Sequence, residues 1–563
     1  MRRRTVVLLA LASALALVAP RAMAAGPSGS SNPAGRRLAV SFGAMRAWSK
    51  ESWARLAGTG SDRGSGTNGG GFECVTPPAR DGNVTLDCPD EYQLTTDEPT
   101  IAVDPADPDH IVTASLNEVM PFQTVQIATS FDGGESWTIG DLPRRPYTQN
   151  WDPWLSFDVK RHTVVLAFEI DGPTATGSCF QHQLVTTSSD GGLTWAAPVM
   201  VYASTGCIGV ENATLFEEGK IGIDNDPASP YFGRMIVSAL YIECSLVTCR
   251  TPIAESISDD GGATWTAPQT ISGSNAEFCT GIPQPPRCDA NTPPALATFA
   301  PDGAVYVAFF NQQNLAASEG PERRALFLHD TQVLVVKSMD GGETWAPPVH
   351  VVDLEDGGRD YNCSVDYVFG CRLTGTALAS FLRGGYLAAA PDGTLYLVFS
   401  DNRDGLHDVA HPVSNEDVFV MTSTDGAQTW TGPDLVAGRL GDEFDPSIGV
   451  NPVTGDLGIA FFDRTGDPAG KTMNLTLASG LPGSFELTRI TTAPSHVNHD
   501  LWWAQTLPDC SSCVFHIGEY FGLAFGSDGG ANIAWPDLRR FVTGPHGGKG
   551  YSMTLDYARF EER

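Results

Sequence analysis

From residue 97 onward, apolar runs alternate with turn residues, and the runs come in pairs. A first run, a turn built from Asp, Asn, Pro or Gly, and a second run closing on a polar group recur seven times. Copies include Pro99 to Ser115 (PTIAVDPADPDHIVTAS), Asp152 to Glu169 (DPWLSFDVKRHTVVLAFE) and Tyr386 to Ser400 (YLAAAPDGTLYLVFS). Short runs rich in Val, Ile, Phe and Tyr between turn signals predict strands buried on both faces. A third strand follows each hairpin, as in V333-L-V-V-K-S338, then a turn and a fourth strand. Four antiparallel strands recurring about every 65 residues predict an all-β fold, a β-propeller whose radial repetition protects strand edges around a central channel. Seven units suggest seven blades, or six if one hairpin belongs to the ring closure.

The turn between third and fourth strands is an octet: S130-F-D-G-G-E-S-W137, S188-S-D-G-G-L-T-W195, S258-D-D-G-G-A-T-W265, S338-M-D-G-G-E-T-W345 and S423-T-D-G-A-Q-T-W430. The sixth unit carries a worn copy, S479-G-L-P-G-S-F485. Asp at the third place can accept backbone N–H groups of its own turn, the following Gly tolerates positive φ, and Trp offers a large apolar wedge. A catalytic reading would need five equivalent sites without a neighbouring His, so the octet is expected to be structural. It is similar to the Asp box, and the chain resembles the sialidase (neuraminidase) superfamily of Asp-box β-propellers. That resemblance implies boxes on outer hairpins away from the site. It also implies a function among sialidases, other glycan-active enzymes and non-catalytic binding proteins.

The first 24 residues combine a basic start, an apolar run and A22-M-A24, which reads as an export signal. Residues 25 to 71 are rich in Gly, Ser, Asn and Pro and read as a flexible leader, leaving 72 to 563 for the propeller. A formal charge of -31 disfavours nucleic acid as a partner. No later run is long enough to span a bilayer, so a secreted monomer without membrane insertion is expected. Twelve cysteines in close sequence neighbours, 74/88, 179/207, 244/249, 279/288, 363/371 and 510/513, suggest local disulfides.

Residues just past the second strands should ring one mouth of the channel: Glu118, Glu169, Glu243, Asn311, Asp401, Asp463 and Asp537. Beside the last three stand Arg403, Arg464 and Arg539. Three arginines at the rim resemble the device with which sialidases hold a substrate carboxylate, since a guanidinium pairs bidentately with it. The competing reading is that each arginine is neutralised by its own aspartate. The resemblance also implies a tyrosine nucleophile, a glutamate that activates it, and a carboxylic acid for the leaving group. H516-I-G-E-Y520 supplies Tyr520 and Glu519, whose adjacency on a strand points them apart. The activating glutamate is then sought in Glu211 or Glu243, and the acid in Asp97 or Asp152. No Arg-Ile-Pro stretch is found, and the arginines crowd into the last three units, so these placements are geometric. H407-D-V-A-H411 lacks the Glu of a zinc helix, and no metal is expected there. D401-N-R-D-G-L-H-D408 leaves a structural calcium open, with no other cofactor. The expected function is action on glycans, as a retaining exo-glycosidase of exo-α-sialidase type or as a glycan- or protein-binding propeller.

Overall fold

The computed structural model describes residues 74–75, 83–87 and 96–561, with interruptions at 120–121, 144–148, 174–178, 206–213, 245–248, 282–284, 293–295, 315–330, 355–370, 374–378, 381–383, 406–412, 468–469, 498–516 and 544–548. The expected signal, the leader, Glu211, the histidine pair 407/411 and cysteines 510/513 lie outside the described residues.

Seven antiparallel sheets of four or five strands follow one another along the chain. Blade 1 runs from Thr96–Asp104 to Thr138–Asp141, and blade 2 from Gln149–Asp158 to Val199–Tyr202. Blade 3 starts at Thr214–Ile223, blade 4 at Asn291–Thr292 and Ala297–Phe299, blade 5 at Gly384–Ala389 and blade 6 at Glu443–Val450. In blade 7, Gly522–Phe525 pairs with Ala531–Thr543, and that with Lys549–Phe560. In blades 2 to 6 the innermost strand comes first along the chain and the outermost comes last, the expected blade order. The seventh unit does not end with its own last strand. Its fourth strand is Val84–Thr85, which pairs through Val84↔Tyr557 and Thr85↔Asp556. Strand Cys74–Val75 extends blade 1 beyond Thr138–Asp141. Residues before the first hairpin therefore close the ring, so the blade count is seven and the six-blade alternative falls.

Every sheet is buried on both faces, and seven apolar clusters fill the seven gaps between neighbouring sheets. Val112, Ala114, Leu166 and Phe168 join blades 1 and 2. Ile111, Ile139, Leu555 and Tyr557 join blades 7 and 1, so the last gap is filled like the others. Inner strands crowd one another around the axis. A Cβ on Gly222 would lie 2.0 Å from the Ala297 carbonyl oxygen of the next blade, so only glycine fits there.

The octets lie at the face opposite the starts of the inner strands and behave as turns. In the first, Gly134 N donates to Ser130 Oγ at 2.9 Å, Ser136 N to Asp132 Oδ1 at 2.8 Å and Trp137 Nε1 to Gly134 O at 3.0 Å. They also clasp neighbouring blades. Arg234 of blade 3 donates to Gly341 O of blade 4, and Lys337 of blade 4 to Gly426 O of blade 5. His110 Nε2 of blade 1 lies 3.0 Å from Gly191 O of blade 2. The predicted pair Cys279–Cys288 is bonded, with Cα atoms 5.3 Å apart. The other five pairings involve residues or side chains outside the described set.

Candidate functional site

The inner strands start at one face, and four of them are broken there in the same way. The register slips between Asp97 and Thr100, Trp151 and Trp154, Glu217 and Lys220, and Phe444 and Ser447. Within each slip sits an acidic residue in the left-handed region: Glu98 (φ 53), Asp152 (φ 48), Glu218 (φ 49) and Asp445 (φ 49). Pro99, Pro153 and Pro446 follow three of them, and Gly219 follows the fourth. Proline donates nothing to a strand ladder and is accommodated at a bulge. Such a backbone costs about 1–3 kcal/mol at each non-glycine residue, and repeated strain of this kind is characteristic of functional sites.

The bulges of blades 1, 2 and 3 bring their carboxylates together at the channel mouth. Asp152 N donates to Glu98 Oε2 at 3.1 Å, and Glu98 N to Asp97 Oδ1 at 2.8 Å. Gln181 Nε2 spends its hydrogens on Glu169 Oε2 at 2.8 Å and Glu217 Oε2 at 2.7 Å. Glu169 Oε1 is buried and accepts no hydrogen bond. Lys220 Nζ bonds Glu218 Oε2 at 3.2 Å and sits 4.4 Å over the Trp154 ring and 4.1 Å over the Tyr520 ring. Trp154 also neighbours Tyr386, with ring centres 6.1 Å apart.

Burial dominates the electrostatics of this cluster. It pushes the Glu98 carboxyl well above the usual range, and the charge and hydrogen bond of Asp152 push it further. Glu169 and Glu217 rise for the same first reason, aided by the charge of Asp152. Burial and the neighbouring negative charges thus favour the protonated form of Glu98, Glu169 and Glu217. A neutral carboxylic acid held beside an ionised carboxylate can give a proton to a leaving group while its neighbour accepts charge.

A second acid pair lies at the junction of blades 5 and 6. Asp417 stands opposite Asp401, and Glu443 opposite Asp463, in the strand registers. Burial, then a hydrogen bond with Asp417 and the charges of Asp463 and Asp417, lift Glu443 to about 9. Burial lifts Asp417 to about 7.

Of the expected site residues, Asp97, Asp152 and Tyr520 meet in the first cluster, and the charge of Glu519 reaches Glu98 there. Tyr520 donates its hydroxyl to Pro153 O at 3.1 Å, and burial, then the charges of Glu98 and Asp152, push its phenol well above its ordinary value. An activated phenolate needs the opposite shift. Glu243 pairs with Arg250 at 2.5 Å on the rim of blade 3, and Arg250 also reaches Asp289. The acids whose charges act on the Tyr520 phenol are instead Glu98, Asp152 and Glu218.

Arg403 grips Asp401 through two bonds of 2.8 and 2.6 Å and lies 4.6 Å over Phe419. Arg464 is buried against Asp442. Arg539 bonds Asp537 at 2.8 Å and Asp556 at 2.5 Å. Arg403 and Arg539 are thus paired with their own neighbouring aspartates, whereas Arg464 takes Asp442 and leaves its neighbour Asp463 to Arg439. Asn311 belongs to an amide network with Asn291, Gln313 and Gln332. Among the described residues no group of three or more His, Cys, Asp or Glu could hold a metal ion.

Sequence reasoning missed Glu98, Glu217, Glu218 and Lys220. The signal was an acid followed by Pro or Gly at the start of an inner strand: Glu98 before Pro99, Asp152 before Pro153, Glu218 before Gly219 and Asp445 before Pro446. Starting the first repeat at Pro99 left the acid outside it.

No family model matches the chain, and no curated protein matches it. Among solved structures, a Hadza microbial sialidase is 15% identical with a TM-score of 0.39; the match covers 67% of this chain and 66% of that one, a little under two thirds. The intramolecular trans-sialidase from Ruminococcus gnavus is 14% identical with a TM-score of 0.35, covering 83% of this chain and 94% of that one. An α-L-arabinofuranosidase from Fusarium graminearum is 13% identical with a TM-score of 0.37, covering 72% and 92%. No residue role is carried across at these identities, and the architecture rests on the chain's own strand pairing: in fold it is a β-propeller of seven antiparallel blades.

Proposed function

We propose that the protein is a glycoside hydrolase acting at the channel mouth on an uncharged glycan. The observation that carries this reading is the Glu98–Asp152 pair: two buried acids from adjacent blades, one in hydrogen-bond contact with the other, beside the carboxylates of blade 3 and the Trp154, Tyr386 and Tyr520 rings. In the proposed reaction the Glu98–Asp152 pair gives its proton to the glycosidic oxygen as the C–O bond breaks. A carboxylate, Glu218, bonds the anomeric carbon. Water then attacks that carbon, releasing Glu218 and returning a proton to the acid pair, with retention of configuration.

An uncharged sugar fits better than sialic acid because Arg403, Arg464 and Arg539 are committed to aspartates, and the mouth itself is acidic. The exo-α-sialidase form of the proposal would need those pairs to open. The export signal expected at the start of the chain agrees with an extracellular glycan as substrate. The test is aryl-glycoside release across a panel of neutral pyranosides, furanosides and a sialoside. Turnover of a neutral glycoside that falls about 100-fold or more in Glu98→Gln is expected, the scale of a lost general acid. Release from the sialoside alone would overturn the substrate class.

A binding propeller is the second reading, favoured by the Tyr520 hydroxyl held on Pro153 O. It predicts neutral-glycan binding by calorimetry with no release from any glycoside.

A further inference from the structure

Lys220 does not belong to an ordinary strand interior. Its side chain is 2% exposed, as is that of Glu218, its partner at 3.2 Å. The bulge that turns Glu218 to positive φ also turns Lys220 into the cluster, and Gly219 between them packs against the Gln183 side chain. A Cβ there would meet Gln183 at 2.2 Å. Burying an ammonium is expensive unless it is paired, and here a carboxylate and two aromatic faces replace its water.

The surroundings are otherwise acidic. Asp97 and Glu98 face the cluster from blade 1, and Asp152 and Glu169 from blade 2. Glu217 adds a carboxyl from blade 3, while the charge of Glu519 reaches the cluster from the segment before blade 7. The phenol rings of Tyr386 and Tyr520 complete it. Among the described residues, Lys220 is the cation in this set. Burial and mutual repulsion raise Glu98, Glu169 and Glu217, and a site in which every carboxyl is protonated has an acid but no base.

We propose that Lys220 is a positioning residue that divides the labour of the cluster, keeping Glu218 as the ionised carboxylate while Glu98 and Asp152 share the acidic proton. The assignment rests on the glycosidase reading for its purpose, but not for its physics. A salt bridge with both partners buried favours the charged form of Glu218 over its neutral form, and the Trp154 and Tyr520 faces hold the ammonium over that one carboxylate. Glu169 and Glu217 have the Gln181 amide instead, which carries no charge. The lysine needs no contact with substrate and transfers no proton.

The readout is the protonation state itself, by infrared difference spectroscopy on full-length protein with 13C-labelled glutamate, in wild type, Lys220→Met, Lys220→Arg and Glu218→Gln. Lys220→Met should convert one ionised glutamate signal into a protonated carboxyl signal near neutral pH. Lys220→Arg should retain the ionised signal, and Glu218→Gln should remove it. A Lys220→Met spectrum with the same number of ionised glutamates as wild type overturns the inference, whether or not any glycoside is cleaved. If Lys220→Met does not fold, loss of the ionised signal in Glu218→Gln, with Lys220→Arg unchanged, supports the assignment, and retention of that signal in Glu218→Gln overturns it. On a substrate that wild type cleaves, Lys220→Met should lower kcat more than about 10-fold and move the acid limb of its pH profile upward, while KM changes little. Absence of any turnover with the expected spectra would sink the glycosidase reading alone.

Discussion

Asp260 shows what one octet aspartate contributes. The Thr264 hydroxyl and backbone N–H, then Ser258, bond its carboxylate and hold it at about 2. Asp190 has the same partners in Ser188 and Thr194. Its turn also receives His110 from blade 1, so losing the aspartate loosens a clasp between blades as well as a turn. Asp190→Ala should lower the melting temperature by a few degrees, as expected for lost hydrogen bonds to a charged group worth about 1.5–3 kcal/mol each. Affinity for any glycan should be unchanged, because the octets lie at the face opposite the carboxylate cluster. Calorimetry of unfolding together with ligand titration checks both halves, and weaker binding at an unchanged melting temperature would contradict the structural role.

At the scale of the strand, the inner edge of each blade is set by close approach and by bulges. Gly222 packs against the Ala297 carbonyl, and Gly522 has Ile101 at 2.6 Å from a would-be Cβ. Gly222→Val should therefore push blade 3 from blade 4 and cost more than about 2 kcal/mol, the scale of overpacking in a tight core. A melting temperature equal to wild type would show that the ring opens there at no cost. The strands and their pairing were legible because apolar runs and octets recur with fixed chemistry. The closing strand Val84–Thr85 was not, since two residues in a polar stretch carry no period and gain their place only by pairing with Tyr557 and Asp556. The acid ring was half legible. Asp97, Asp152 and Tyr520 follow from strand direction, whereas Glu98 and Glu218 face the channel only because a bulge reverses the side expected from simple alternation. The arginines were visible as a set, yet a sequence cannot say which carboxylate, a ligand's or a neighbour's, fills the fork.

For the whole molecule, two populations of carboxyl groups pull stability in opposite directions with pH. The octet aspartates have lowered values, as in Asp260 and Asp425, each at about 2. Their contribution is present above the unfolded value of 3.8 and is lost as pH falls through about 2. Buried acids have raised values: Asp171 at about 6, Glu255 and Asp417 at about 7 and Glu443 at about 9. In these the folded state binds the extra proton, so their contribution is full below the unfolded value near 4 and declines as pH rises toward 6 to 9. Net charge acts in the same sense, since -31 at pH 7 repels itself and fades near the pI of about 4.6. Both windows leave their overlap at about pH 4–5. Thermal unfolding should therefore peak there, falling steeply toward about pH 2 and more gradually toward about pH 9. The Glu255 part can be isolated, because its carboxylate accepts from Trp345 and Gln269 between blades 3 and 4. Glu255→Gln should flatten the decline between about pH 5 and 7 without moving the acid limb. A melting profile that rises from about pH 5 to 8 would mean that the buried carboxyls are ionised in the fold, and the proton-sharing cluster at the channel mouth would lose its physical basis with them.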